Sequence, residues 1–224
     1  MVRKTHGGAL FLKMKYSKYI FVIVPLMHLT GFLGAQIPSF VPLFRALTPF
    51  HLTTCLVLLL LFHQSWNFAA ATYCVLAFLA GFVIEAIGIH TGLIFGTYQY
   101  GATLGYKVFG VPLLIGANWL ILTYCAGILV DRLALRLVWK AACAAVLVTV
   151  LDVLIEPVAM KNDFWSWKND TVPLQNYVAW YLIAWALLVV FYYLPFNKKN
   201  QLALLLFVSQ FLFFAFHNLT YLFE

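Results

Sequence analysis

Three carboxylic acids stand inside long apolar runs: Glu85, Asp152 and Glu156. A charge near the middle of a bilayer costs about 2.5–3.5 kcal/mol on insertion scales, so such a residue marks a functional site and faces a protein interior. Asp152 and Glu156 are four apart and project from one helix face, together with Thr149. Two carboxyls that close do not both ionise readily in a low-dielectric setting, and one keeps its proton at neutral pH. A retained proton is what an acid catalyst for an apolar substrate needs. The plain alternative is structural: Asp152 or Glu85 bonded to Asn118 or His217, tying helices together. The convergence of so many costly groups favours chemistry.

The elements that must position these acids follow from composition. The 224-residue chain is 64% hydrophobic and 9% charged, against about 25% charged for a soluble domain. This predicts one all-α domain over residues 1–224, a polytopic membrane bundle of about seven transmembrane helices. The predicted spans are Tyr19–Gln36, Phe50–His63, Phe68–Ile89, Val111–Val130, Val138–Val158, Tyr177–Leu194 and Leu202–Phe223. The second reaches normal length only with Leu47 to Phe50 added. Pro157 biases Glu156 away from helical geometry and predicts the end of the fifth span there.

The net charge of +7 does not indicate nucleic acid, because the basic residues sit where topology signals sit. Residues 1–18 form a basic tail with Arg3, Lys4, Lys13, Lys15 and Lys18. Arg132, Arg136, Lys140, Lys198 and Lys199 fall on the same side. This predicts integration into the inner cell membrane, with the N-terminus cytoplasmic and the C-terminus outside. Lysines before an apolar run ending in Leu33-Gly34-Ala35 also fit a signal peptide, which would leave six spans. Cys55, Cys74, Cys125 and Cys143 have no CxxC spacing and read as buried free thiols.

With a rise of about 1.5 Å per residue, Glu85, Asn118, Asp152, Glu156, Asn176, Trp180 and His217 all fall in the outer half of the bundle. The two outer loops are aromatic. Gly88, Gly92 and Gly96 recur every four residues, with Phe95, Tyr98 and Tyr100 interleaved. Such glycines serve close helix packing or tight turns. The aromatics, and Trp165 and Trp167 in the other loop, suit an interfacial belt. They equally suit a cavity lid with phenols inward and indole faces that stabilise a cation.

The pattern Glu85-(x2)-Gly88-(x3)-Gly92-(x2)-Phe95-Gly96-x-Tyr98-x-Tyr100, then Val111-Pro112-Leu113 and Asn118-Trp119, resembles the CruF-type carotenoid biosynthesis family. So does Asp152-(x3)-Glu156-Pro157, followed by Trp165-x-Trp167 and Val172-Pro173-Leu174-x-Asn176-Tyr177-(x2)-Trp180. The resemblance covers about residues 70–195. That family takes in carotenoid 1',2'-hydratases and an archaeal bisanhydrobacterioruberin hydratase. It implies a carotenoid substrate in the bilayer, other carotenoid-pathway enzymes as possible partners, and water addition across a terminal C=C. On that reading Asp152 donates the proton, and Glu156 or Glu85 handles the water. Trp119, Trp165, Trp167, Tyr98, Tyr100, Phe95 and Trp180 bind substrate and cation. Asn118, Asn176, His217 and His90 hold water or polar groups. The chemistry needs no metal or redox cofactor.

Other readings differ in what they require. A cyclase or isomerase uses the same acid, with a neighbouring double bond trapping the cation. A di-iron hydroxylase needs clustered histidines, whereas His6, His28, His51, His63, His90 and His217 are scattered along the chain. A retinal photoreceptor needs a lysine in the last span, and Leu202–Phe223 has none. A transporter needs a polar path across the whole bilayer.

Overall fold

A computed structural model describes residues 6–223 of the chain. Arg3 and Lys4 of the basic tail lie outside them. Seven helices carry the fold: α1 (His6–Gln36), α2 (Val41–Leu61), α3 (Phe68–Thr91), α4 (Leu113–Val130), α5 (Leu137–Lys161), α6 (Leu174–Tyr193) and α7 (Gln201–Tyr221). Each has a segment long and apolar enough to cross a membrane. The α4 segment is 78% buried, against 11% for those of α1 and α2. So α4 is the central post, apolar all round, and α1 and α2 are peripheral.

Two expected boundaries move. The second span is longer than Phe50–His63, because α2 begins at Val41 and runs through Pro49. A 3-10 turn, Pro38–Phe40, precedes it. The fifth span does not end at Pro157; α5 continues to Lys161. Proline costs that helix one amide donor, and neighbouring groups in a bundle absorb such a loss. Glu156 therefore points inward from a helix, not from a turn.

The loops at one end of the bundle contain short strands. The α3–α4 loop holds β1 (Tyr98–Tyr100), β2 (Lys107–Val108) and β3 (Val111–Pro112). The α5–α6 loop holds β4 (Trp165–Trp167). β1 and β4 pair antiparallel, Tyr98 opposite Trp167 and Tyr100 opposite Trp165. Further bonds join the two loops: Gly101 N to Phe164 O, Lys168 N to Thr97 O, and Ala102 N to an Asp163 carboxylate oxygen. Non-helical backbone near membrane depth is tolerable when it is satisfied in this way. Gly92 makes the turn out of α3, with φ at 66° and its N–H on the Gly88 carbonyl.

The two hairpins α3–β1–α4 and α5–β4–α6 repeat one plan. Val111-Pro112-Leu113 opens α4 as Val172-Pro173-Leu174 opens α6, and Trp119 and Trp180 stand equally far behind the two prolines. Those indoles stack on each other, with centroids 4.0 Å apart and planes 16° apart. An acid from the first helix of each hairpin, Glu85 or Glu156, precedes an aromatic-x-aromatic strand.

Of the four cysteines, Cys55 and Cys125 are buried, Cys74 is half-buried and Cys143 is exposed. The expectation of four buried thiols fails at Cys143, whose apolar run has one face turned outward.

The α3–α4 contact depends on Gly81, where an added Cβ would lie 2.4 Å from the Trp119 Cβ. Gly81→Ala is expected to cost about 1–3 kcal/mol, seen as a lower thermal midpoint and an altered near-UV signal from the stacked indoles. Gly34→Ala, with nothing within 4 Å of the added carbon, is expected to leave both unchanged.

Candidate active site

Glu85 is buried on the face of α3 that carries Gly81 and Gly88. Small residues one turn to either side leave room for rings against the carboxyl. Tyr98 and Tyr100 both donate to Glu85 Oε2, the latter at 2.7 Å. Trp119 Nε1 donates to Oε1 at 3.0 Å. Phe95 fills the notch at Gly88.

Glu156, on α5, is held in the same style. Trp165 Nε1 and Trp167 Nε1 donate to its Oε2 at 2.8 and 2.7 Å. The Asn176 amide, at the start of α6, donates to Glu156 Oε1 at 3.2 Å and to Asp152 Oδ2 at 3.0 Å. Asp152 is fully buried and its Oδ1 has no hydrogen-bond partner.

The β1–β4 ribbon explains this pattern. Side chains alternate across a strand. Gln99 and Ser166 face out, while Tyr98, Tyr100, Trp165 and Trp167 share the inner face. Their rings pack in cross-strand pairs, Tyr98 on Trp167 at 4.8 Å and Tyr100 on Trp165 at 6.1 Å. One strand sends two phenols to Glu85; the other sends two indoles to Glu156. Burial, and after it the nearby Glu85 carboxylate, pushes both phenols above their ordinary value, so they stay protonated donors.

Lys140 pairs with Asp131 at the surface. Among the described residues, the hydrogen-bond donors to the three buried acids are all neutral. Glu85, Phe95, Tyr98, Asn118, Glu156 and Trp180 are among the walls of a cavity of about 20 Å³, room for about one water. It adjoins an apolar chamber of about 660 Å³ between α1, α2, α4, α5 and α7. Ile115, Asn118 and Trp165 line both.

The structure thus gathers Glu85, Glu156, Asn118, Asn176, Phe95, Tyr98, Tyr100, Trp119, Trp165, Trp167 and Trp180. Asp152 lines neither cavity and meets Glu156 through Asn176. His217 is elsewhere: its Nδ1 bonds the Phe213 carbonyl, and its ring sits among Phe32, Phe44 and Phe213. His90 is exposed in the last turn of α3. Three of the four indoles expected to meet a cation face-on, Trp119, Trp165 and Trp167, also donate their N–H groups to the carboxyls. Sequence reasoning missed the chamber walls from α1 and α2, because a cavity-lining leucine and a lipid-facing leucine look the same in sequence.

Tyr100→Phe removes one donor from a buried acceptor and is expected to cost about 1–3 kcal/mol in thermal unfolding. Gln99→Ala, on the outer face, is expected to stay within about 0.5 kcal/mol. Because both phenols are raised, they stay protonated as pH climbs through about 10, where ordinary tyrosines ionise. An alkaline absorbance titration of folded Tyr98→Phe/Tyr100→Phe is expected to match the wild-type amplitude.

Residues 44–223 match the family described as carotenoid biosynthesis protein. A bisanhydrobacterioruberin hydratase of Haloarcula japonica is 29% identical over 112 residues, covering 44% of this chain and 36% of the relative. The chain therefore spans little more than a third of that relative. No solved structure matches.

Proposed function

The chain belongs to the carotenoid biosynthesis protein family, and on that footing we propose that it adds water across the terminal C=C of a linear or monocyclic carotenoid. The observation that carries this reading is the junction of the two cavities. A chamber sized for an apolar chain ends at Asn118 and Trp165, where a one-water cavity begins with two carboxyls in its wall.

The polyene end lies in the chamber with its last double bond at that junction. Glu156, which lines the small cavity, gives its proton to the less substituted carbon and leaves a tertiary cation. The indole donors of Trp165 and Trp167 hold the resulting carboxylate. Water in the small cavity bonds to the cation, and Glu156 takes the surplus proton back. One water is consumed, no electrons move, and the acid is restored.

Asp152 acts behind Glu156. Both accept from the Asn176 amide, and two negative charges there have no cation to answer them, so the pair keeps one proton. This moves the donor role from Asp152, the sequence-based choice, to the carboxyl that lines the cavity. Glu85 accepts from three neutral donors, and in its ionised form it is the negative charge that the cation faces. The repeat supports this division. Where the second hairpin has Asp152 and Asn176, the first has Gly81 and Ile115 at the matching places. Only the second half carries the extra carboxyl and its bridging amide. With the N-terminus cytoplasmic, the site lies in the outer half of the inner membrane, open to carotenoid from the bilayer and to products of neighbouring pathway enzymes.

Expression in cells making lycopene and γ-carotene, with mass analysis of the pigments, tests the reading. A product heavier by one water is expected. A product of unchanged mass with shifted retention would assign a cyclase instead. Glu156→Gln is expected to lower the rate by about 10²–10⁴-fold in a protein that still inserts. Full activity in that variant would remove Glu156 as the acid.

A further inference from the structure

Three metal-binding side chains that are scattered in sequence meet beside the apolar chamber, two of them in its wall. His28 comes from α1, and His51 and Cys55 from α2; their ligand atoms lie within 4.8 Å of one another. Both histidines line the chamber, and none of the three lines the small cavity beside the acids. We infer that this cluster is a zinc site with three protein ligands and a fourth position open to the chamber.

The geometry is close to what zinc requires. His51 and Cys55 are four apart and share one helix face. His28 Nε2 and His51 Nε2 are 3.4 Å apart. A tetrahedral zinc with bonds of about 2.0–2.1 Å to nitrogen and about 2.3 Å to sulfur needs edges of about 3.4 Å between nitrogens and about 3.6 Å from nitrogen to sulfur. The imidazole edge is already in place, and the thiol closes the triangle by a shift on the order of 1 Å. His28 Nδ1 donates to the Val24 carbonyl at 2.8 Å. That bond fixes the ring and leaves Nε2 with a lone pair facing His51, the outer-shell arrangement that ligating histidines use.

The donor set narrows the metal. Thiolate and imidazole preferences overlap at zinc and at copper, and hard oxygen-seeking cations are excluded; the 3.4 Å nitrogen–nitrogen separation, the edge of a tetrahedron, favours zinc. Burial adds a condition. Zinc with one thiolate keeps a net positive charge in an apolar wall, and a bound hydroxide makes the group neutral. The fourth ligand is therefore an anionic oxygen: hydroxide, or the hydroxyl of a molecule in the chamber after it has lost its proton to the solvent. His28 lies outside the stretch that matches the family, and His51 and Cys55 lie within it. The competing arrangement is a hydrogen bond alone, with His51 Nε2 donating to His28 Nε2.

The test is elemental analysis of the full chain, purified in detergent through a tag without histidine, followed by titration with Co²⁺ as the probe. The expected result is about one zinc per chain, and tetrahedral cobalt bands with a thiolate-to-cobalt transition. Cys55→Ser is expected to lose the thiolate transition, and His51→Asn to weaken cobalt binding at least about 10-fold. Both are read on protein that elutes as a single species. Wild-type protein without zinc and without tetrahedral cobalt bands would overturn the assignment and leave the hydrogen-bonded pair. So would a thiolate transition that survives in Cys55→Ser. Where a variant fails to fold, the wild-type measurement alone decides.

Discussion

Buried carboxyls in a membrane bundle usually find a cation or stay at the rim. Here they do neither. Glu85 and Glu156 are held by neutral N–H and O–H groups, four of them from one two-stranded ribbon. This constraint sets much of the surrounding structure. The rings must reach inward, so the strands must alternate. The strands must pair, so the two loops must meet. The loops meet because α4 stands between α3 and α5 as a buried post, with Gly81 letting Trp119 lie against α3. Neutral donors stabilise an anion without cancelling its field. A carboxylate held in this way still attracts positive charge, and a lysine in place of either phenol would have ended that.

The repeat gives the site two similar halves that meet at the Trp119–Trp180 stack. Likeness explains why the acids have similar surroundings. Unlikeness gives them different work. Asp152 and Asn176 stand where the first half has Gly81 and Ile115, so proton sharing is possible on one side only. The same exchange shapes the packing: the glycine seats Trp119, and the isoleucine lines both the small cavity and the chamber.

Much of this was legible in the sequence, for physical reasons. Apolar runs of bilayer length fix seven helices, and a carboxyl inside such a run is too costly to be idle, which singled out Glu85, Asp152 and Glu156. Tyr98-x-Tyr100 and Trp165-x-Trp167 also stood out. Their alternation is a strand signal, but each is only three residues long, and pairing between distant loops leaves no local trace. His217 and His90 misled because depth along a helix says nothing about which face a residue occupies. Pro157 misled because a bundle supplies what an isolated helix lacks. Histidines scattered along the chain count against a di-iron hydroxylase, yet His28 and His51 come together through the packing of α1 on α2, which sequence spacing does not record.

The locality of the ring donors bears on how such a protein enters a membrane. Tyr98 and Tyr100 follow Glu85 within one hairpin, and Trp165 and Trp167 follow Glu156 within the next. Each acid therefore travels with its own shield. As the ribosome releases the chain, a hairpin is able to cover its carboxyl from its own following loop, before the other hairpin exists. The lipid is spared a long wait beside a bare acid, and the later docking of the two ribbon strands has only to bring together halves whose most expensive group is already wrapped.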